Sequence, residues 1–113
     1  MPIMIDANRS VAANTTVDNV LSGKLEEFLR ANSTVVLYAI AQAVGVRLSL
    51  IVGSEVALDD QEINARAGAT ATIVPDDFLA STAGFDGDRL ILRVRNTTGA
   101  AIIVFSRLET TPL

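Results

Sequence analysis

Through much of the chain, apolar and polar positions alternate with the period of two that puts successive side chains on opposite faces of a strand. In residues 89–95, Leu90, Leu92 and Val94 fall on one side and Arg89, Ile91, Arg93 and Arg95 on the other. Beyond a polar, glycine-bearing break, Ile102, Val104, Ser106 and Leu108 alternate with Ala101, Ile103, Phe105 and Arg107. These two runs predict a terminal hairpin, reversed at residues 96–99 and paired antiparallel with both apolar sides on one core. Residues 46–52 follow the same rule, with Val46, Leu48, Leu50 and Val52 opposite a wetter face of Arg47, Ser49 and Ile51. Gly53-Ser54 then separates Val52 from Glu55-Val56-Ala57-Leu58. A tight hairpin is expected there, glycine supplying the positive dihedral of a primed turn. Val35, Leu37 and Ala39 alternate with Val36, Tyr38 and Ile40, apolar on both sides. That pattern suits a strand covered on both faces, with helix as the competing reading.

Elsewhere the period changes. Val17, Val20, Leu21, Leu25, Phe28 and Leu29 recur at helical spacing, with Lys24, Glu26, Glu27 and Arg30 largely opposite. This predicts an amphipathic helix near residues 17–31, or a shorter one capped by Ser22. Residues 1–16, with Pro2, Asn8, Ser10 and Asn14-Thr15-Thr16, show no repeat and read as an N-terminal arm. Residues 59–68 and 81–87 read as loops. Residues 69–74 read as a short strand ended by Pro75, and residues 75–80 as a turn or one-turn helix with Asp76 and Asp77 at its positive end. Short antiparallel strands without crossover helices predict a mainly β fold, a small antiparallel β-sandwich or jelly-roll-like barrel, with the one helix packed on an edge or face. Residues 17–113 would form a single domain.

Composition narrows the chemistry. Of the 113 residues half are apolar but only 4% aromatic, so the core falls to Val, Leu, Ile and Ala. With no cysteine and no histidine, thiolate nucleophiles, disulfides, His general bases and His- or Cys-type zinc sites are excluded. Gly68, Gly84 and Gly87 lack the spacing of a phosphate loop or dinucleotide fingerprint. Asp59-Asp60-Glu62, Asp76-Asp77 and Asp86-Asp88 could converge on calcium or supply an acid and base, but adjacent loop carboxylates are more often solvated or paired with arginine. Three Asn-x-Thr matches, at Asn14, Asn32 and Asn96, are read as turn formers. No catalysis and no cofactor are expected. Residues 1–10 lack the features of a secretory signal, and even the apolar run 35–46 is broken by Gln42 and Gly45, so a soluble chain without a membrane partner is expected.

The net charge of -4 gives no general attraction to nucleic acid. Acidic side chains gather between Glu55 and Asp88, and Arg89, Arg93, Arg95 and Arg107 follow. Arg93 and Arg95, with Arg47 across the sheet, could touch phosphate, yet no aromatics interleave with them as single-stranded binding requires. An acidic loop of a partner suits them better, and identical subunits in a ring would bring one copy's loop to another's strand. Ile91, Ile103 and Phe105, opposite the main core face, would cover either a second sheet or a partner subunit. Arg47, Ile91, Arg93, Arg95, Ile103 and Phe105 are therefore the candidate interface.

The linear order also carries a resemblance. Phe28-Leu29-Arg30-Ala31-Asn32, then residues 46–63, then Pro75-Asp76-Asp77, Gly87-Asp88-Arg89 and Arg93-x-Arg95-Asn96-Thr97-Thr98-Gly99 resemble small β-rich structural proteins of tailed bacteriophages, of the capsid decoration or cement type. The likeness covers roughly residues 25–109. It implies a virion protein on the capsid surface, assembled in the host cytoplasm, forming a homo-oligomer, a trimer first, and contacting the major capsid protein. It carries over no enzymatic residue. A non-catalytic carbohydrate- or calcium-binding β module is the alternative, motivated by the acidic loops.

Overall fold

The computed structural model describes residues 3–22, 27–66 and 77–112. They contain the strands β1 (Ile3–Val11), β2 (Thr16–Val17), β3 (Ser33–Ala41), β4 (Val46–Val52), β5 (Glu55–Glu62), β6 (Phe78–Gly84), β7 (Leu90–Asn96) and β8 (Ile102–Pro112). One sheet has the order β1-β8-β3-β6 and the other β2-β7-β4-β5, with antiparallel neighbours throughout. Only β4 and β5 are neighbours both in sequence and in space; the other successive strands change sheet. Eight strands wound this way over two sheets follow the order of a jelly roll.

Parity decides what lies between the sheets. Val35, Leu37 and Ala39 of β3 and Val104 and Leu108 of β8 turn inward from one sheet; Leu48 and Leu50 of β4 and Leu90, Leu92 and Val94 of β7 turn inward from the other. All are at most 1% exposed and form one cluster, so both sheets share a core. Burying an aliphatic side chain of this size contributes about 1.5–3 kcal/mol.

Several expectations are overturned. The predicted barrel is not there: neither sheet closes on itself, and the sandwich is open. Nor is the N-terminal helix, since residues 17–31 hold no α-helix among the described residues. Val17 belongs to β2, Phe28 bridges Arg89, and residues 23–26 lie outside the described part. Asn19 explains part of the difference. Its Oδ1 accepts from the amides of Leu21 at 3.0 Å and Leu92 at 3.1 Å, while Nδ2 donates to Leu90 O at 3.2 Å. Together with the Val20 amide on Leu92 O, it satisfies the edge of β7 as a strand would. Asn and β-branched residues are also weak helix formers, so sheet docking wins over the apolar period.

The terminal hairpin is likewise replaced. β7 pairs with β2 and β4, whereas β8 pairs with β1 and β3, so residues 97–101 arch from one sheet to the other. Asn96 is 1% exposed and holds the arch: Nδ2 donates to Val11 O at 3.0 Å and Ala100 O at 2.8 Å, and Oδ1 accepts from the amide and hydroxyl of Thr98. Residues 3–11, expected in a free arm, pair along their whole length with β8. The loop at 59–68 gives up Asp59, Asp60, Gln61 and Glu62 to β5, and the loop at 81–87 gives up its first four residues to β6. The short strand at 69–74, with Pro75 and Asp76, falls outside the described residues.

Candidate interaction surfaces

The outward side of the second sheet carries the arginines. Arg95 of β7 stands beside Arg47 of β4, which pairs across with Glu62 of β5. Two like charges side by side repel, and Asp60 lies between them. Arg95 Nη2 donates to Asp60 Oδ2 at 2.6 Å and Arg95 Nε to Oδ1 at 3.2 Å, a two-point clamp. Arg47 Nε adds contacts at 2.8 Å to Asp60 O and 3.3 Å to Oδ2. The backbone is built for this: Asp60 has a φ of 47°, and its amide donates to the buried Ser49 Oγ at 2.9 Å. The β4-β5 register shifts around Leu50, so β5 bulges and turns the carboxylate onto the arginines. The Arg95 hydrogen bond, aided by the charges of both arginines, holds the Asp60 carboxyl below its ordinary range although partial burial opposes this. Hydrogen bonding to Asp60 raises Arg95 in turn. The acidic match expected from a partner is therefore supplied, for Arg47 and Arg95, within the chain.

Arg93 differs. It is exposed, stands beside Ser49, and makes no ion pair among the described residues. Next to it runs an apolar row, Ile91 beside Ile51 and Ile51 beside Val56, the last 54% exposed.

Ile103 and Phe105 lie on the opposite side of the molecule, facing outward from the first sheet. Phe105 stands beside Ile40, and Tyr38 meets Phe78 edge to face with ring centroids 6.1 Å apart. Ile103 is 38% exposed and Phe78 50%. Asp6 and Arg107, joined at 2.7 Å, border this strip and raise the Arg107 guanidinium, chiefly through their hydrogen bond. The six candidate interface residues thus divide into two faces separated by the core: Arg47, Ile91, Arg93 and Arg95 on one, Ile103 and Phe105 on the other. Of Val36, Tyr38 and Ile40, read as one side of a strand covered on both faces, Val36 and Tyr38 stay half-buried beside the second face, while Ile40 is buried.

The acidic pairs separate as well. Asp60 is turned to arginines, and Asp88 Oδ2 accepts the Phe85 amide at 2.8 Å. Asp77 is buried and 3.7 Å from Arg66, and Glu27 pairs with Arg89. Among the described residues no three acidic side chains stand where they could hold a metal ion. A polar hollow of about 420 Å³ lies beside Arg95, lined by Asn14, Thr16, Asn96 and Thr97; an apolar one of about 100 Å³ lies at the other end, between Ile5, Phe28, Leu29 and Pro112. Asp60 as an arginine clamp, and Asn19 and Asn96 as backbone surrogates, were not singled out from sequence. The break in alternation at Asp59-Asp60, read as a loop, is the signal that could have found the first. Compared with family models, curated proteins and solved structures, the chain matches none of them.

Proposed function

We propose that the chain is a virion structural protein that self-associates, as a trimer first, and bridges subunits of the major capsid protein as a decoration or cement protein. The observation that carries this reading is the pair of outward apolar faces, Phe105-Ile103 with Tyr38-Phe78 on one sheet and Ile91-Ile51-Val56 on the other. Apolar rows on both outer sides of a small sandwich suit a subunit contacted from both sides. Two further points support it: the resemblance of residues 25–109 to tailed-phage structural proteins, and a winding that capsid proteins share with lectins and many others. The role would be mechanical, adding buried area between shell subunits.

A carbohydrate-binding module is the competing reading, favoured by the polar hollow beside Arg95. The described lining of that hollow holds no aromatic ring on which a sugar could stack. The two readings separate in one cosedimentation experiment, using purified shells of the phage that encodes the chain. Saturable retention on shells, at a fixed ratio to the major capsid protein and unaffected by added saccharides, is expected. A chain that stays in the supernatant at every shell concentration excludes the capsid reading.

A further inference from the structure

The turn between β6 and β7 projects two side chains with no role in the fold: Phe85, 71% exposed, and Asp86, also exposed. The turn itself is held firmly. The Asp86 amide donates to Asn32 Oδ1 at 3.0 Å, the Gly87 amide to Leu29 O at 2.8 Å, and the Phe85 amide to Asp88 Oδ2 at 2.8 Å. A rigid tip carrying one aromatic ring and one carboxylate loses little conformational freedom on binding, which favours contact.

The second sheet carries the matching features on its outer face, beside the β4-β5 turn. Arg93 is an exposed cation without an ion pair among the described residues, and the apolar row Ile91-Ile51-Val56 is its neighbour. Arg47 and Arg95 are already neutralised in part by Asp60. Thus one patch pairs a cation with an apolar row, and one tip pairs an anion with a ring. Copies with a net charge of -4 repel one another at long range, so association needs opposite charges brought together locally.

We propose that the β6-β7 turn of one copy docks on the outer face of the second sheet of another copy, Phe85 against Ile91, Ile51 and Val56 and Asp86 against Arg93. Because tip and patch are different surfaces, the contact is head-to-tail. A single such contact uses the tip of one copy and the patch of the other and leaves one free patch and one free tip across the pair, unless a two-fold arrangement engages both at once. Repetition closes a ring where the rotation allows and extends a filament where it does not. The inference rests on the self-association half of the proposed function and specifies its surfaces.

The test is a charge exchange, with mass measured by light scattering and sedimentation velocity over a concentration series. Asp86→Arg and Arg93→Glu are each expected to raise the apparent Kd by about tenfold or more, since each sets like charges face to face. Mixing the two variants in equal amounts is expected to restore association in pairs and even-numbered assemblies, since a three-membered ring would keep one like-charged contact. The arginine tip of one then meets the glutamate patch of the other, and the remaining tip and patch are native. Monomeric wild type at all concentrations, association unmoved by either variant, or a mixture that stays dissociated each overturns the proposal. Should either variant lose its β-sheet circular dichroism, Asp86→Asn and Arg93→Gln are used instead, and unchanged association in both overturns it equally. Shell binding is scored on the same samples. Oligomers that ignore shells keep this contact and remove the capsid reading, whereas monomers that bind shells do the reverse.

Discussion

Asn19 and Asn96 bond to backbone groups of elements distant in sequence, and in doing so replace stretches of strand. Asp60 does the equivalent for charge, drawing two neighbouring arginines onto one carboxylate. Its left-handed backbone is one that Asn also tolerates, so Asp60→Asn removes the charge while keeping the bulge. The folded carboxyl lies below the ordinary 3.8, so its contribution is fully present above that pH and is lost as pH falls through the lower folded value. Asp60→Asn is therefore expected to lower the urea midpoint modestly at pH 7, with the gap narrowing once pH falls below 3.8 and closing as it passes the folded value. Equal gaps at both pH values would show that the arginine clamp contributes nothing through charge. At this scale inside and outside were legible, because parity alone places Leu48, Leu92 and Val104 inward. The polar roles were not, since an asparagine that closes a strand edge looks in sequence like one that starts a turn.

Elements were legible where one face is dry. β3, β4, β7 and β8 follow their alternation, while β5 is hidden by its bulge and β6 by small polar residues that mimic a loop. The helical spacing between Val17 and Leu29 coexists with Val20, Leu21 and Leu29 each reaching the core from outside the strands. The β4-β5 turn is the one local reversal read correctly, since Val52 pairs with Glu55 across Gly53-Ser54. Gly53 has a φ of 63°, and a Cβ there would come within 2.8 Å of the Asp88 carboxyl carbon. Gly53→Ala is expected to cost about 1–2 kcal/mol through left-handed strain. It should also disturb the β6-β7 turn, because Asp88 is the side chain that caps Phe85. Chemical denaturation reads the first effect and the amide resonance of Phe85 the second. An unchanged midpoint would mean the turn relaxes into another type.

At the scale of the molecule, the sequence contains strands but not their partners. A reversal such as residues 96–101 can close a hairpin or arch between sheets, and parity is the same in both, so the terminal hairpin and the jelly-roll order could not be told apart. The decision is made by β1, which occupies the edge of β8 that β7 would otherwise fill. Its loss should then be global. Deleting residues 1–11 removes nine paired residues, takes Ile5 and Val11 from the core, and strips Asn96 of the Val11 carbonyl. It also bares an edge of β8 whose outward residues include Ile103 and Phe105, a template for aggregation. The truncated chain is expected to lose amide dispersion throughout, in Leu92 and Leu48 as well as in β8, and to precipitate. Adding a peptide of residues 1–11 should restore the spectrum by re-forming the β1-β8 pairing. A truncated chain that keeps its full dispersion would return these residues to the role of an N-terminal arm outside the folded core, and the fold would then be completed by the remaining strands alone.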